Sequence, residues 1–301
     1  LNVKQRAHLA VLTANLIFGV NFSIVKYVTP ALIKPFGLNV VRVLVTTALL
    51  WILHLWEKPA VSLQRKDVPL FIACGLTGIT INQLLFIKGL SITYSIHASL
   101  LMLCTPLLIT ITAFFFLKEK LNTGVIMGLA LGIGGAALLI TSKEKTGAGT
   151  NVILGDIFIA LNAISYAFYF VLVKPLMAKY SPLQVLRWAF TFGTLFILPF
   201  GWTEFIEAPW STYTTQDLLA IGFVVIGATF FAYLLNIFGL HHIQASATGA
   251  YIYLQPIFAT VVAVVFLGEH LTIMKVLSAL LIFIGVFLVQ RSKLKKAGST
   301  N

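Results

Sequence analysis

The chain has 301 residues, of which 59% are hydrophobic and only 10% charged, with a net charge of +12 and a mean hydropathy of +0.97. Soluble domains carry about 25% charged residues to keep their surface wetted, so a soluble domain is excluded. A nucleic-acid binder is excluded too, because the 21 Lys and Arg residues are spread over loops and chain ends. In chain order the apolar runs predict ten spanning helices, over about 8–28, 38–56, 68–90, 97–117, 123–141, 155–175, 182–201, 217–238, 244–267 and 272–290. A crossing helix needs roughly 20 mainly apolar residues. Barrel strands alternate polar and apolar over about ten residues, and these runs do not. Helices also satisfy their own backbone groups, as hydrocarbon demands. The expected fold is an all-α integral membrane protein.

The second half repeats the first at an offset of 150 residues. Asp67 falls on Asp217, Ile87 on Ile237, Gly89 on Gly239 and Leu90 on Leu240. Over 106–121 against 256–271 there are seven identities in sixteen positions, including Pro106 with Pro256 and Glu119 with Glu269. Two repeats are expected, 1–142 and 143–301, each of five helices. An odd number of crossings makes the second repeat enter from the opposite side, which gives inverted topology. With the N-terminus in the cytoplasm, fourteen Lys and Arg lie on or near the inner side and seven outside. That bias places both termini in the cytoplasm. Lys26 and Arg42 then lie near the outer face, Lys174 and Arg187 near the inner one, and all four read as snorkelling anchors or as paired gate contacts.

The FGVNFSIVK stretch at 18–26, the two Pro-x12-Glu spacings and the LKEKL and LGEHL endings resemble the EamA domain of the drug/metabolite transporter superfamily. The resemblance covers nearly the whole chain as two repeats. It implies a bacterial inner-membrane carrier that often exports amino acids or related metabolites. It also implies a central cavity lined by helices 1, 3, 4, 6, 8 and 9. The substrate does not transfer from so broad a family.

Polar groups facing lipid are costly, so polar stripes along a span should point inward. Helix 9 carries Gln244, Thr248, Tyr251 and Gln255 on one face, and helix 6 carries Asn162, Tyr166 and Tyr169. Helix 8 offers Thr229, Tyr233 and Asn236, and helix 3 has Asn82 and Gln83. Helix 1 contributes Asn21, and helix 4 contributes Thr105 with His97 adjacent. These residues form the expected substrate pocket, although Asn, Gln and Thr also serve as packing glue between membrane helices. Pro106 and Pro256 interrupt their helices by removing a backbone donor and read as kinks or hinges. Glu119 and Glu269 precede helices 5 and 10, where a carboxylate suits the positive N-terminal dipole. Tyr253 reads as packing or lipid-facing, and the glycine stripe 124, 128 and 132 as internal packing.

No Asp or Glu is expected in mid-span, which argues against proton-driven cation efflux. No central Lys or Arg is expected to hold a phosphate, which weakens a sugar-phosphate reading; a sugar-phosphate or drug/cation antiporter of the same superfamily is the alternative. A neutral, aromatic pocket suits small zwitterionic or uncharged metabolites. A membrane-embedded enzyme should bring His, Asp or Cys together at one depth, and the sequence suggests no such group. A receptor should carry a sizeable soluble domain, and the longest loops are about 15 residues. Cofactors and metals are not expected. The expected partners are membrane lipid and a small-molecule substrate, with a monomer as the oligomeric state.

Overall fold

The computed structural model describes residues 2–56, 61–118, 121–142, 149–243, 248 and 251–298, with backbone alone at 117, 240, 241 and 293–298. Nine described helices are long and apolar enough to cross a membrane. They are α1 (Val3–Val28), α2 (Pro35–His54), α3 (Arg65–Ile92), α4 (Ser95–Phe116), α5 (Thr123–Thr141), α6 (Val152–Leu172), α7 (Pro182–Ile206), α8 (Thr215–Gly239) and α10 (Ile273–Ser292). The shorter apolar helix α9 (Tyr251–Leu267) completes the set, and no described residue forms a strand. The ten helices run alternately between the two ends of the bundle, so that the start of α1 and the described end of α10 lie at the same end. We call that side the terminal end and the other the distal end. Large apolar side chains such as Phe115, Phe266, Leu219 and Phe287 cover the outer surface, as a lipid-facing surface requires.

Helix contacts recur at a spacing of five elements. Helix α1 packs on α8 and α9, and α6 packs on α3 and α4. Helix α2 meets the middle of α8, and α7 meets the middle of α3. The pairs α2–α7 and α5–α10 map onto themselves. The α5–α10 seam is close because small residues face each other. A Cβ on Gly128 would lie 2.5 Å from the Gly285 carbonyl oxygen, and one on Gly135 would lie 2.8 Å from Leu281. Lipid supplies no hydrophobic drive between helices, so this close van der Waals contact is what holds the seam. The glycine stripe therefore packs internally.

Two helices widen to π geometry at equivalent depths, Gly75–Ile81 in α3 and Phe223–Phe231 in α8. Threonines hold the widened turns. Thr80 donates to the Gly75 carbonyl at 3.2 Å and Thr229 to the Val224 carbonyl at 2.8 Å, each five residues back. Two others are interrupted. Helix α4 breaks at Leu103 and Cys104, whose N–H groups reach back only three residues, to Leu100 and Leu101. It resumes at Thr105–Leu117, with Pro106 in the first turn. Helix α9 opens as a 3-10 stretch, Tyr251–Leu254, and continues as Gln255–Leu267 with Pro256 in the first turn. Proline lacks the N–H that a continuous helix needs at that point.

Candidate functional site

The deepest aromatic group comes from α6 and α8. The rings of Tyr166 and Tyr169 lie 5.6 Å apart, and Tyr233 meets Phe18 at 6.0 Å and Phe190 at 6.3 Å, both edge-on. The Tyr166, Tyr169 and Tyr233 phenols lie within electrostatic range of one another. Each is half-buried. The π stretch of α3 seats this group. A Cβ on Gly78 would lie 2.4 Å from the Tyr169 ring, so only glycine lets the ring rest there. Ser165 donates to the Thr77 carbonyl at 2.7 Å and holds α6 against the same stretch.

Arg42 joins the tyrosines. It lies seven residues into α2, about 10 Å along the axis, and is only 6% exposed. Its Nε donates to Thr229 Oγ1 in the π stretch of α8 at 3.0 Å, and Tyr233 lies in its field. The side chain thus turns into the bundle. This corrects its reading as a snorkelling anchor and the expectation that no arginine lies deep within a span. One turn earlier, Asn39 donates to the Gln83 carbonyl at 3.1 Å, which brings Gln83 to the same level. On α1, α2, α3 and α6 several enclosed polar atoms have no hydrogen-bond partner among the described residues: Asn21 Oδ1, Asn39 Oδ1, Arg42 Nη1, Gln83 Oε1 and Asn162 Oδ1. Enclosed polar atoms are almost always paired, with protein or with something bound.

Other expected pocket residues are engaged elsewhere. The Asn162 amide donates to the Asn82 carbonyl at 2.6 Å, joining α6 to α3. Gln255 donates to Asn15 Oδ1 at 2.7 Å, joining α9 to α1. Thr105 closes the break in its own helix, donating to the Met102 carbonyl at 2.7 Å. The Tyr251 hydroxyl meets His8 Nδ1 at 3.0 Å, toward the terminal end rather than beside the tyrosine group. Asn236 is half-buried one turn beyond Tyr233, and Thr248 is buried. Tyr253 packs on Phe283 of α10 at 5.8 Å. Gln244 and Glu119 lie outside the described residues. At the terminal end, between α6 and α7, the Tyr180 hydroxyl donates to Asp67 at 2.7 Å. Burial and that bond push its phenol above the ordinary value.

The distal end holds a buried ionic cluster. His97 and Asp156 are both fully buried, with Nδ1 to Oδ2 at 2.8 Å. His97 therefore faces α6 and not the tyrosine group. The Thr93 hydroxyl donates to the other oxygen of Asp156, and Lys26 donates to the Thr93 carbonyl. Lys26 turns inward rather than toward the headgroups. Lys275, also fully buried, donates to the His270 carbonyl at 2.8 Å. The Tyr94 ring lies between the two lysines, with ammonium-to-centroid distances of 5.8 and 4.9 Å. Glu269 is 1% exposed and accepts from the Ser95 and Ile96 N–H groups at 2.7 and 3.1 Å. It caps α4, not α10 as its position in the sequence suggests. The reason is Gly268, whose left-handed backbone (φ 64°) ends α9 and sends the next side chain across the bundle. Asp156, Lys26 and Lys275 were not among the expected site residues. A signal for Asp156 was present in Gly89 and Gly155, whose close approach draws α6 onto the end of α3. A Cβ on Gly155 would lie 2.7 Å from the Thr93 Cβ.

Comparison with known proteins fits this architecture. An uncharacterized transporter of Archaeoglobus fulgidus is 22% identical over 95% of this chain and 98% of its own length. The uncharacterized transporter YetK of Bacillus subtilis is 25% identical over 80% of this chain and 74% of its own. A probable terminal-alkyne amino-acid exporter of Streptantibioticus cattleyicolor is 29% identical over 77% of this chain and 76% of its own. One solved crystal structure shares the fold, with a TM-score of 0.60 at 21% identity, covering 94% of this chain and 95% of that one. The EamA-like transporter family matches twice, over residues 5–141 and 153–291, and the chain belongs to that family as a multi-pass membrane transporter.

Proposed function

We propose that the protein is a carrier that exports small zwitterionic metabolites of the amino-acid class by alternating access around the cavity of Tyr166, Tyr169 and Tyr233. The observation that carries the reading is the set of enclosed polar atoms without partners. Arg42 Nη1 is a charged donor, whereas Gln83, Asn21, Asn39 and Asn162 each leave an amide oxygen. A zwitterion offers the complement: a carboxylate for the guanidinium and an ammonium for the amide oxygens. Charge-assisted hydrogen bonds of this kind are the strong ones. The aromatic wall then receives an apolar side chain. The relative named for amino-acid export supports the same class.

In this reading the two repeats are inverted, the terminal end is cytoplasmic, and the breaks before Pro106 and Pro256 are the hinges. Support comes from the five crossings per half and the helix contacts that recur five elements on. Counterflow in proteoliposomes tests the substrate class. Radiolabelled L-leucine or L-phenylalanine exchanges, while the matching amines without a carboxylate do not inhibit. Equal inhibition by the amines would remove the carboxylate from the reading. In the same assay, Pro106→Ala and Pro256→Ala slow exchange in a protein that still folds; unchanged exchange removes the hinge role.

A further inference from the structure

We propose that His97 and Asp156 form a proton-binding site that controls opening of the distal end. The proposal rests on the alternating-access reading above, in which that end must open for substrate to pass. The cluster joins the two halves there. Lys26 on α1 and Thr93, Tyr94 and His97 at the start of α4 belong to the first half. Asp156 on α6, Glu269 and His270 between α9 and α10, and Lys275 on α10 belong to the second. Separating the halves at this end breaks the His97–Asp156, Thr93–Asp156 and Glu269–α4 bonds together.

Charge counting gives the direction. Among the described residues the cluster holds two lysines and two carboxylates, which balance while His97 is neutral. Neutral His97 donates its Nδ1 proton to Asp156, and Nε2 is enclosed with no partner among the described residues. A proton taken from distal water onto Nε2 leaves the cluster with an extra positive charge. It also creates a buried N–H with no acceptor. An unpaired buried charged donor is strongly unfavourable, and water relieves it only once the end has opened. Proton uptake therefore favours the open distal end, and proton loss favours closure. Among the described residues, the other titratable groups on the elements packed against the cluster are His270, which is exposed, Tyr94 beside both lysines, Lys88 in the distal half of α3, and Tyr27 with Asp217, whose hydrogen bond joins α1 to α8. Helix α5 carries no titratable group.

The test reads gate opening directly and needs no substrate. Ser95 is fully buried within the cluster and Ser211 is exposed at the same end. In full-length protein with Cys74→Ala and Cys104→Ala, Ser95→Cys is labelled with N-ethylmaleimide and its rate divided by that of Ser211→Cys. The ratio rises at least about fivefold between about pH 8 and about pH 5.5, across the range where histidine titrates. His97→Asn keeps a donor for Asp156 without a titrating ring, and abolishes the rise. His270→Asn leaves it intact. Asp156→Asn, which adds the positive imbalance permanently, labels fast at both pH values if monodisperse on gel filtration. A ratio that does not change with pH in the parent, or a rise that persists in His97→Asn, overturns the proposal. Counterflow of L-leucine separates the two readings. Exchange with pH-independent labelling sinks only the proton site, and pH-dependent labelling without exchange sinks only the substrate class.

Discussion

Replacing Arg42 with Gln lowers counterflow of a zwitterionic amino acid by roughly 150-fold, the equivalent of about 3 kcal/mol for a charge-assisted bond to a buried partner. The guanidinium is held at Nε by Thr229, so its direction is fixed before substrate arrives and little entropy is lost on binding. Glutamine keeps a donor and much of the length but neither the charge nor the fork. Arg42→Lys restores the charge without the planar pair of donors and recovers only part of the rate. Thr229→Val, which frees the guanidinium to swing, gives a smaller loss. The folded state should survive in all three, because among the described residues Arg42 is bonded to one side chain only and the helices around it pack through apolar contacts. The measurement is initial counterflow rate per monodisperse protein. A rate for Arg42→Gln within threefold of the parent removes the guanidinium from the site.

Glu269→Ala has its effect on stability. The buried Glu269 carboxylate receives two buried N–H groups at the start of α4 and lies in the field of the half-buried Lys26. Alanine leaves both N–H donors without their acceptor. Leaving a buried donor unsatisfied costs about 1–3 kcal/mol, and two are left here. Unfolding in mild detergent should show a clearly lowered midpoint, and Glu269→Gln, whose amide oxygen still accepts one N–H, should lie between the two. An unchanged midpoint for Glu269→Ala would mean that water replaces the cap and that the distal end is wet.

The helices and the two repeats were legible in the sequence because hydrocarbon imposes a continuous apolar length, and the repeat recurs with few gaps. That the tyrosines of α6 and α8 turn toward one another was legible because a polar stripe at helical spacing can face only one way. Arg42 was not, because a cation two turns inside a helix can either rise to the headgroups or cross to a neighbour. What decides between them is Thr229, 187 positions away. The π stretches were hidden for a similar reason: threonine five residues after a carbonyl is common, and only packing against α2 and α7 selects the wider turn. Glu269 was assigned to the helix that follows it, since sequence places it there. The left-handed turn at Gly268 reverses that assignment. The charged cluster was missed because Lys26, Asp156 and Lys275 each lie near a helix end, where sequence predicts contact with water.

Glu269 has a counterpart in Glu204, at the end of α7, whose carboxylate accepts from the Phe36 and Gly37 N–H groups at 2.7 and 3.0 Å and so closes the start of α2. Two helices of the first half thus begin on acids supplied by the second half. During synthesis, α2 and α4 enter the bilayer well before either acid has been made. The first five helices then have the length to insert but not the means to finish, and the last one to emerge settles the others. Residues 1–142 made alone should reach the membrane and remain protease-sensitive, and co-expression with 143–301 should restore resistance. If the first half were resistant by itself, its helix starts would have found local substitutes, and the order of synthesis would carry no such waiting step.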